Sequence, residues 1–166
     1  MIGPAGNVLD KVHIGTPIYC MSLNERRKEI IFGTTKGLQF HKIYENKVNN
    51  HYIEVKHNFE INEHTNIVRC VLTSDSRIYS AGFDGALVIY DCHYTGDESA
   101  IKFFKNKRAH DAGISSLIVE KDNIENNTWL VTGSFDKALK IWTNDGKLIH
   151  KFDGFITSIT GIISIP

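Results

Sequence analysis

The sequence predicts an all-β fold assembled from a repeated unit, and three observations carry that prediction. Apolar residues fall in runs of four to six, rich in Ile, Val, Leu, Phe and Tyr, with Gly, Asp, Asn, Ser and Lys clusters between them. Nowhere do they recur at helical spacing over three turns. The runs also return in the same order along the chain, which marks stacked supersecondary units.

Taken in order, residues 1–11 read as a lead-in or closing strand. Ile18–Leu23, Glu29–Phe32, Leu38–Ile43 and Tyr52–Val55 supply four short strands, so 12–60 forms a first unit. In a second unit, 61–108, His64 precedes the strand Ile67–Leu72, and Ser80–Asp91 carries two strands joined by a tight turn. Lys102–Arg108 follows as an outer strand with a solvated basic loop. The third unit, 109–153, repeats the plan with Ala109-His110 before Ile114–Val119, then Val131–Trp142, then a last strand at Lys147–Phe152. Ser158–Pro166 reads as the first strand of a fourth unit, 154–166, that is not completed. Asp136 lies 52 residues after Asp84, and a weaker copy at Phe32–His41 lies 49 residues before the second when His41 is set against Tyr90. The polar stretch Glu120–Thr128 accounts for excess length as a surface insertion between two strands.

Composition narrows the class of partner. The 166 residues carry 19 Lys and Arg against 19 Asp and Glu, so the net positive field that drives non-specific binding to phosphate backbones is missing. That argues against a nucleic-acid partner. No apolar run approaches the ~18 residues of a membrane span, so no membrane partner is expected. Met1–Val8 has neither the basic region nor the apolar core of a secretory signal, and Ile2 excludes N-myristoylation. Cys20, Cys70 and Cys92 are odd in number and widely spaced, which suits a reducing compartment. The expectation is an intracellular chain, cytoplasmic, with the nucleus and cilium also compatible.

A histidine before a first strand, then Ser/Thr-Gly-Ser-x-Asp, then a strand closing on Trp-Asp, is the pattern by which the chain resembles the WD-repeat (WD40) β-propellers. The third unit matches best, with Ala109-His110, Thr132-Gly133-Ser134, Asp136 and Ile141-Trp142, although Thr143 replaces the final Asp. The second has His64, Ser80, Asp84 and Tyr90-Asp91; the first is degenerate, with Thr35 in the place of the turn Asp and His41 in that of the Trp. The resemblance implies four-stranded antiparallel blades and a structural hydrogen-bond network in each. His110, Thr132, Asp136 and Trp142 would form one, and His64, Ser80, Asp84 and Tyr90 another with a phenol in place of the indole. His13, Thr35 and His41 cannot complete a third, so the first blade is expected to be the softest.

The resemblance also implies where partners bind: on one rim, formed by the starts of the first strands and the residues just before each turn Asp. In this sequence those places are Tyr19, Ile67, Arg69 and Ser115 on the strands and Thr34, Phe83 and Phe135 at the turns. Three blades of about 50 residues and a single strand make an open arc, since closed propellers have 4–8 blades. The remaining blades are expected from a longer chain or from another subunit. The function implied is a non-catalytic scaffold for protein or peptide partners. A substrate receptor of a ubiquitin ligase is the alternative, weakened because Tyr90-Asp91-Cys92-His93 and Trp142-Thr143-Asn144-Asp145 lack the Trp-Asp-x-Arg of propellers that dock on the cullin-linked adaptor.

Other chemistry is thinly supported. His64 with Asp84, and His110 with Asp136, have the composition of general-base pairs, but they recur once per unit and no Gly-x-Ser-x-Gly elbow accompanies them. A hydrolase is therefore a remote reading. Neither Cys-x-x-Cys nor His-Glu-x-x-His is present, so no metal is expected, and no cofactor. Gly33–Gly37 lacks the Gly-Lys-Ser/Thr ending of a phosphate loop and reads as a β-turn. Trp129 reads as a core residue at the start of a buried strand.

Overall fold

The computed structural model describes residues 11–35, 37–45, 53–74, 76–91, 102–106, 108–121 and 127–164. Among them are twelve strands and no helix. Sheet 1 is formed by β1 (Cys20–Asn24), β2 (Glu29–Gly33), β3 (Leu38–Glu45) and β4 (Ile53–Ile61). Sheet 2 holds β5 (Val68–Ser74), β6 (Arg77–Gly82), β7 (Leu87–Asp91) and β8 (Lys102–Asn106). Sheet 3 holds β9 (Ile114–Lys121), β10 (Thr128–Ser134), β11 (Leu139–Thr143) and β12 (Leu148–Phe152). Each is an antiparallel meander whose strands pair in chain order.

Alternation along each strand gives every sheet two faces. Each sheet turns a forward face to the next sheet in the chain and a rear face to the one before. At the first junction Ile31, Leu38 and Phe40 of sheet 1 pack against Val68, Val71, Ile78, Val88 and Tyr90 of sheet 2. At the second, Tyr79, Ala81, Leu87 and Ile89 of sheet 2 meet Ile114, Leu117, Leu130 and Trp142 of sheet 3. Sheet 2 is thus buried on both faces, which is why β6 and β7 read as nearly continuous apolar runs.

Polar ties fix the same junctions. The thiol of Cys20 donates to Val68 O at 3.4 Å, and that of Cys70 to Ser115 O at 3.5 Å. The amides of Val68 and His110 donate across the two junctions to Thr34 O (2.9 Å) and Gly85 O (3.1 Å). Gly85 adopts φ 72°, and a Cβ there would stand 2.6 Å from His110 O, so side-chain bulk is excluded twice over. At the outer end of the second junction, the side chains of Arg77 and Tyr79 donate to Asn144 in the β11–β12 turn.

Four expectations need correction. The turn of sheet 1 is one residue shorter than its counterparts: Thr34 N bonds Gly37 O, where Gly82 N bonds Ala86 O and Ser134 N bonds Ala138 O. Thr34 therefore occupies the place of Gly82 and Ser134, not that of Phe83, and it is buried with its hydroxyl donating to Gly37 O. Second, β4 runs on to Ile61, because Phe59 stacks on Phe40 at 4.3 Å and Ile61 joins the core. Third, residues 154–164 form no strand. They lie along β10 through Ile159 N to Ser134 O (3.1 Å), and among the described residues no strand pairs with them in a ladder. Fourth, Trp129 is half-exposed, since it lies on the forward face of the last sheet. Residues 1–10, 122–126 of the insertion, and 165–166 lie outside the described residues.

Candidate protein-binding rim and the networks that hold it

The rim is set by two tight turns, each anchored from beneath by a buried histidine. In sheet 3, His110 Nδ1 lies 2.9 Å from Asp136 Oδ2, and its Nε2 lies 2.7 Å from Thr132 Oγ1. Trp142 Nε1 donates to the same hydroxyl at 2.8 Å. A carboxylate only accepts, so Nδ1 carries the proton and the order follows: indole N–H to hydroxyl, hydroxyl to Nε2, Nδ1–H to Asp136. With a neutral imidazole every member is satisfied. The Asp136 carboxylate also caps the backbone, accepting from Asp111 N and Ala138 N at 3.0 Å each.

Sheet 2 builds the same arrangement with different parts. His64 Nδ1 is 3.0 Å from Asp84 Oδ2, its Nε2 is 2.7 Å from Ser80 Oγ, and Ser80 Oγ is 3.4 Å from Tyr90 Oη. Thr65 N and Ala86 N donate to the Asp84 carboxylate at 2.9 and 3.1 Å. The phenol is thus a looser closing member than the indole. Ser80–His64–Asp84 has the connectivity of a catalytic triad, but Ser80 and Thr132 both have 0% exposure. No substrate carbonyl can reach either hydroxyl, so the constellation holds turns in place.

Among the described residues of sheet 1 no such network forms. Register sets Phe32 opposite Gln39, as Ser80 is set opposite Val88 and Thr132 opposite Lys140. Phe32 therefore stands where the hydroxyl belongs and meets His41 edge-on at 5.1 Å. Both ring nitrogens of the buried His41 lack a hydrogen-bond partner, and His13 is exposed.

These environments give stability a definite pH profile. Burial pulls the pKa of His110 down against the opposing pull of Asp136, and burial followed by the charge of His57 does the same to His41. Unfolded, both protonate near 6.5 while the folded state resists, so stability is lost as pH falls below about 6.5. Burial tends to raise Asp84 and Asp136, but their histidine and backbone hydrogen bonds prevail and hold both carboxyls below the ordinary 3.8. Their contribution is present above that value and goes as pH drops through it. At the alkaline end, burial pushes Cys20 to about 12 and Cys70 to about 11, so stability declines again once unfolded thiols ionise above 9. Thermal melts from pH 3 to 11 are expected to show a plateau between about 6.5 and 9. A melting temperature that kept rising below pH 6 would contradict these assignments.

Immediately before each turn Asp stands a phenylalanine. Phe83 and Phe135 are 36% and 41% exposed, and their ring centroids lie 5.7 Å apart, tilted by 56°. The pair bridges the second junction. Gly113 makes this possible: a Cβ there would lie 3.1 Å from Phe83 Cα and 3.2 Å from its ring. Phe83 N bonds Ile67 O, and Phe135 N bonds Gly113 O, so each turn is tied to the start of its own first strand. Of the other rim residues, Tyr19 and Arg69 are exposed and Ile67 is half-buried. Arg69 is the bulged residue where β5 slips register against β6. Thr34 and Ser115 do not belong on the rim. Thr34 is displaced by the shorter turn, and Ser115 is buried, its hydroxyl within bonding distance of Gly133 O and Ile159 O. Asn144, the anchor for Arg77 and Tyr79, carries no sequence signal beyond that of a turn former.

Comparison with known proteins places this geometry. Residues 55–91 and 101–143 match the WD40 family model, described as "WD domain, G-beta repeat". A Brugia malayi protein described as "Ribosome biogenesis protein WDR12 homolog" is 29% identical over 86 residues, which is 49% of this chain and 19% of that protein. The crystal structure of the WD40 beta propeller domain of Doa1 superposes with TM-score 0.59 at 18% identity, over 84% of this chain and 41% of that one. The computationally designed Ika4 protein gives TM-score 0.64 at 16% identity, over 94% of this chain and 84% of its own. The chain thus spans about a fifth of that relative and about two fifths of the Doa1 propeller. The superpositions show a shared fold.

Proposed function

We propose, from the premise that this is a WD40-repeat protein, that the chain is a scaffold binding a protein or peptide segment at the Phe83–Phe135 rim, without chemistry of its own. The observation that carries the reading is the aromatic pair. Two large apolar rings stand half in water at equivalent turns, which is costly unless something covers them, and aromatic residues dominate binding hot spots. The His64 and His110 networks fix the turns that carry the rings, so little conformational freedom is lost when a partner docks. Ile67, Tyr19 and Arg69 extend the surface toward the first strands.

Panning a displayed peptide library on the chain tests the reading. The parent is expected to enrich binders, and Phe83→Ala/Phe135→Ala to lose at least tenfold in affinity for them, about 1.4 kcal/mol or more, with its melting temperature kept. Equal affinity in the double variant would place the binding surface elsewhere.

The match to the WDR12 homolog favours a more particular version, in which the partners are ribosome-assembly factors and the chain works in the nucleus. Co-sedimentation with pre-ribosomal particles on a gradient is the expected result, and a chain confined to the top fractions counts against it.

A further inference from the structure

We propose that His41 and His57 of sheet 1 form a binding site for a divalent transition-metal ion of the zinc class, with the amide oxygen of Gln39 as a third donor. The inference starts from three atoms that the fold buries without a hydrogen bond among the described residues: His41 Nδ1, His41 Nε2 and Gln39 Oε1. His41 is only 3% exposed. Buried polar groups are almost always paired, so an imidazole with neither nitrogen satisfied calls for a ligand. Gln39 lies two residues before His41, on the same face of β3.

This want of partners originates inside sheet 1. The residues that hold the place of His41 in the other sheets are satisfied from within those sheets, Tyr90 by Ser80 and Trp142 by Thr132. In sheet 1 the hydroxyl is replaced by Phe32, whose ring can pack against His41 but cannot bond its nitrogens.

Strand pairing supplies the second ligand. β4 slips register against β3 between Phe40 and His41, so that His57, and not Asn58, stands opposite His41. At the same place sheet 2 sets Phe103 against Tyr90 and sheet 3 sets Leu148 against Trp142, whereas sheet 1 sets imidazole against imidazole. The two ring centres are 5.1 Å apart, with the planes at 85°. Two imidazoles on one tetrahedral zinc ion, each bound at about 2.0–2.1 Å, hold their centres roughly 5 Å apart, so little side-chain movement is required. Gln39 Nε2 donates to Glu60 Oε2 at 3.4 Å, which engages the amino end of the amide and leaves its oxygen as the end that can ligate. Two imidazole nitrogens and one oxygen suit zinc, copper or nickel better than calcium or magnesium, with water completing the coordination. His57 is exposed on the edge strand β4, which gives the ion a way in. Because the histidines meet only through strand pairing, no short sequence motif announces them.

Isothermal titration calorimetry of the chain with zinc chloride at neutral pH tests this. The parent is expected to take up a single zinc ion, and His57→Ala to bind it about tenfold more weakly or worse. His57 is exposed, so that variant should fold like the parent. His41→Phe is expected to lose binding as well, while keeping a ring beside Phe32 so that the sheet still forms. His13→Ala removes an exposed histidine outside the site and should bind zinc as the parent does. Zinc is also expected to raise the melting temperature of the parent but not that of His57→Ala, since an ion that binds only the folded state stabilises it. A parent that takes up no zinc, a His57→Ala or folded His41→Phe variant that binds as tightly as the parent, or a His13→Ala variant that loses binding would each overturn the proposal.

Discussion

Thr132→Val is expected to destabilise the chain by roughly 2–4 kcal/mol, because it strands two buried groups at once and each costs roughly 1–3 kcal/mol. Valine matches the shape of threonine, so no cavity accompanies the loss. What disappears is the hydroxyl that donates to His110 Nε2 and accepts from Trp142 Nε1, at a position with 0% exposure. For a chain of this size the melting temperature should drop by about 5–15 °C. Ser80→Ala in the second network should cost less, about 1–2 kcal/mol, since the Ser80–Tyr90 contact is already long at 3.4 Å and His64 is the main group stranded. A loss below about 1 kcal/mol in Thr132→Val would mean that the network is not what holds the turn.

Leu87→Ala is the second large effect. Leu87 is fully buried at the second junction, between sheets that cannot collapse inward without breaking their own ladders. A loss of about 2–5 kcal/mol follows from transfer and cavity terms together. Leu139 occupies the same repeat position on the forward face of sheet 3, where it is only half-buried. In dilute solution Leu139→Ala should therefore cost well under half as much. Chemical denaturation of the two variants at low concentration checks the ratio, and equal losses would show that the forward face of sheet 3 is covered within the single chain.

The strands of this molecule are legible in its sequence because short Ile, Val and Tyr runs alternate with turn formers, and the repeat makes each run corroborate the next. The repeat, together with the resemblance to WD-repeat propellers, singles out His64, Ser80, Asp84 and Tyr90, and their counterparts His110, Thr132, Asp136 and Trp142. The structure brings each set within hydrogen-bonding reach. Sheet 1 shows where such reading stops. Gly33-Thr34-Thr35-Lys36-Gly37 allows the turn to be counted in two ways, and only pairing of β2 with β3 decides that Thr34 falls inside it. Trp129 misleads for a different cause. A large aromatic opening an apolar run normally faces a core, but which face of the last sheet is covered depends on what packs beyond it, and local sequence does not encode that. Residues 154–164 carry a strand's composition, yet they pair with no strand among the described residues.

The thiols that cross the two junctions have a practical consequence. Cys20 reaches from sheet 1 to Val68 O and Cys70 from sheet 2 to Ser115 O, and burial keeps both protonated well beyond neutral pH. A thiol with a raised pKa holds little thiolate and reacts slowly, so an alkylating dye should label each one faster while its junction is apart. With Cys92 replaced, the labelling rate of Cys20 times the separation of sheets 1 and 2, and that of Cys70 times the separation of sheets 2 and 3. The chain thus carries an intrinsic stopwatch at each seam, able to report which of the two parts first.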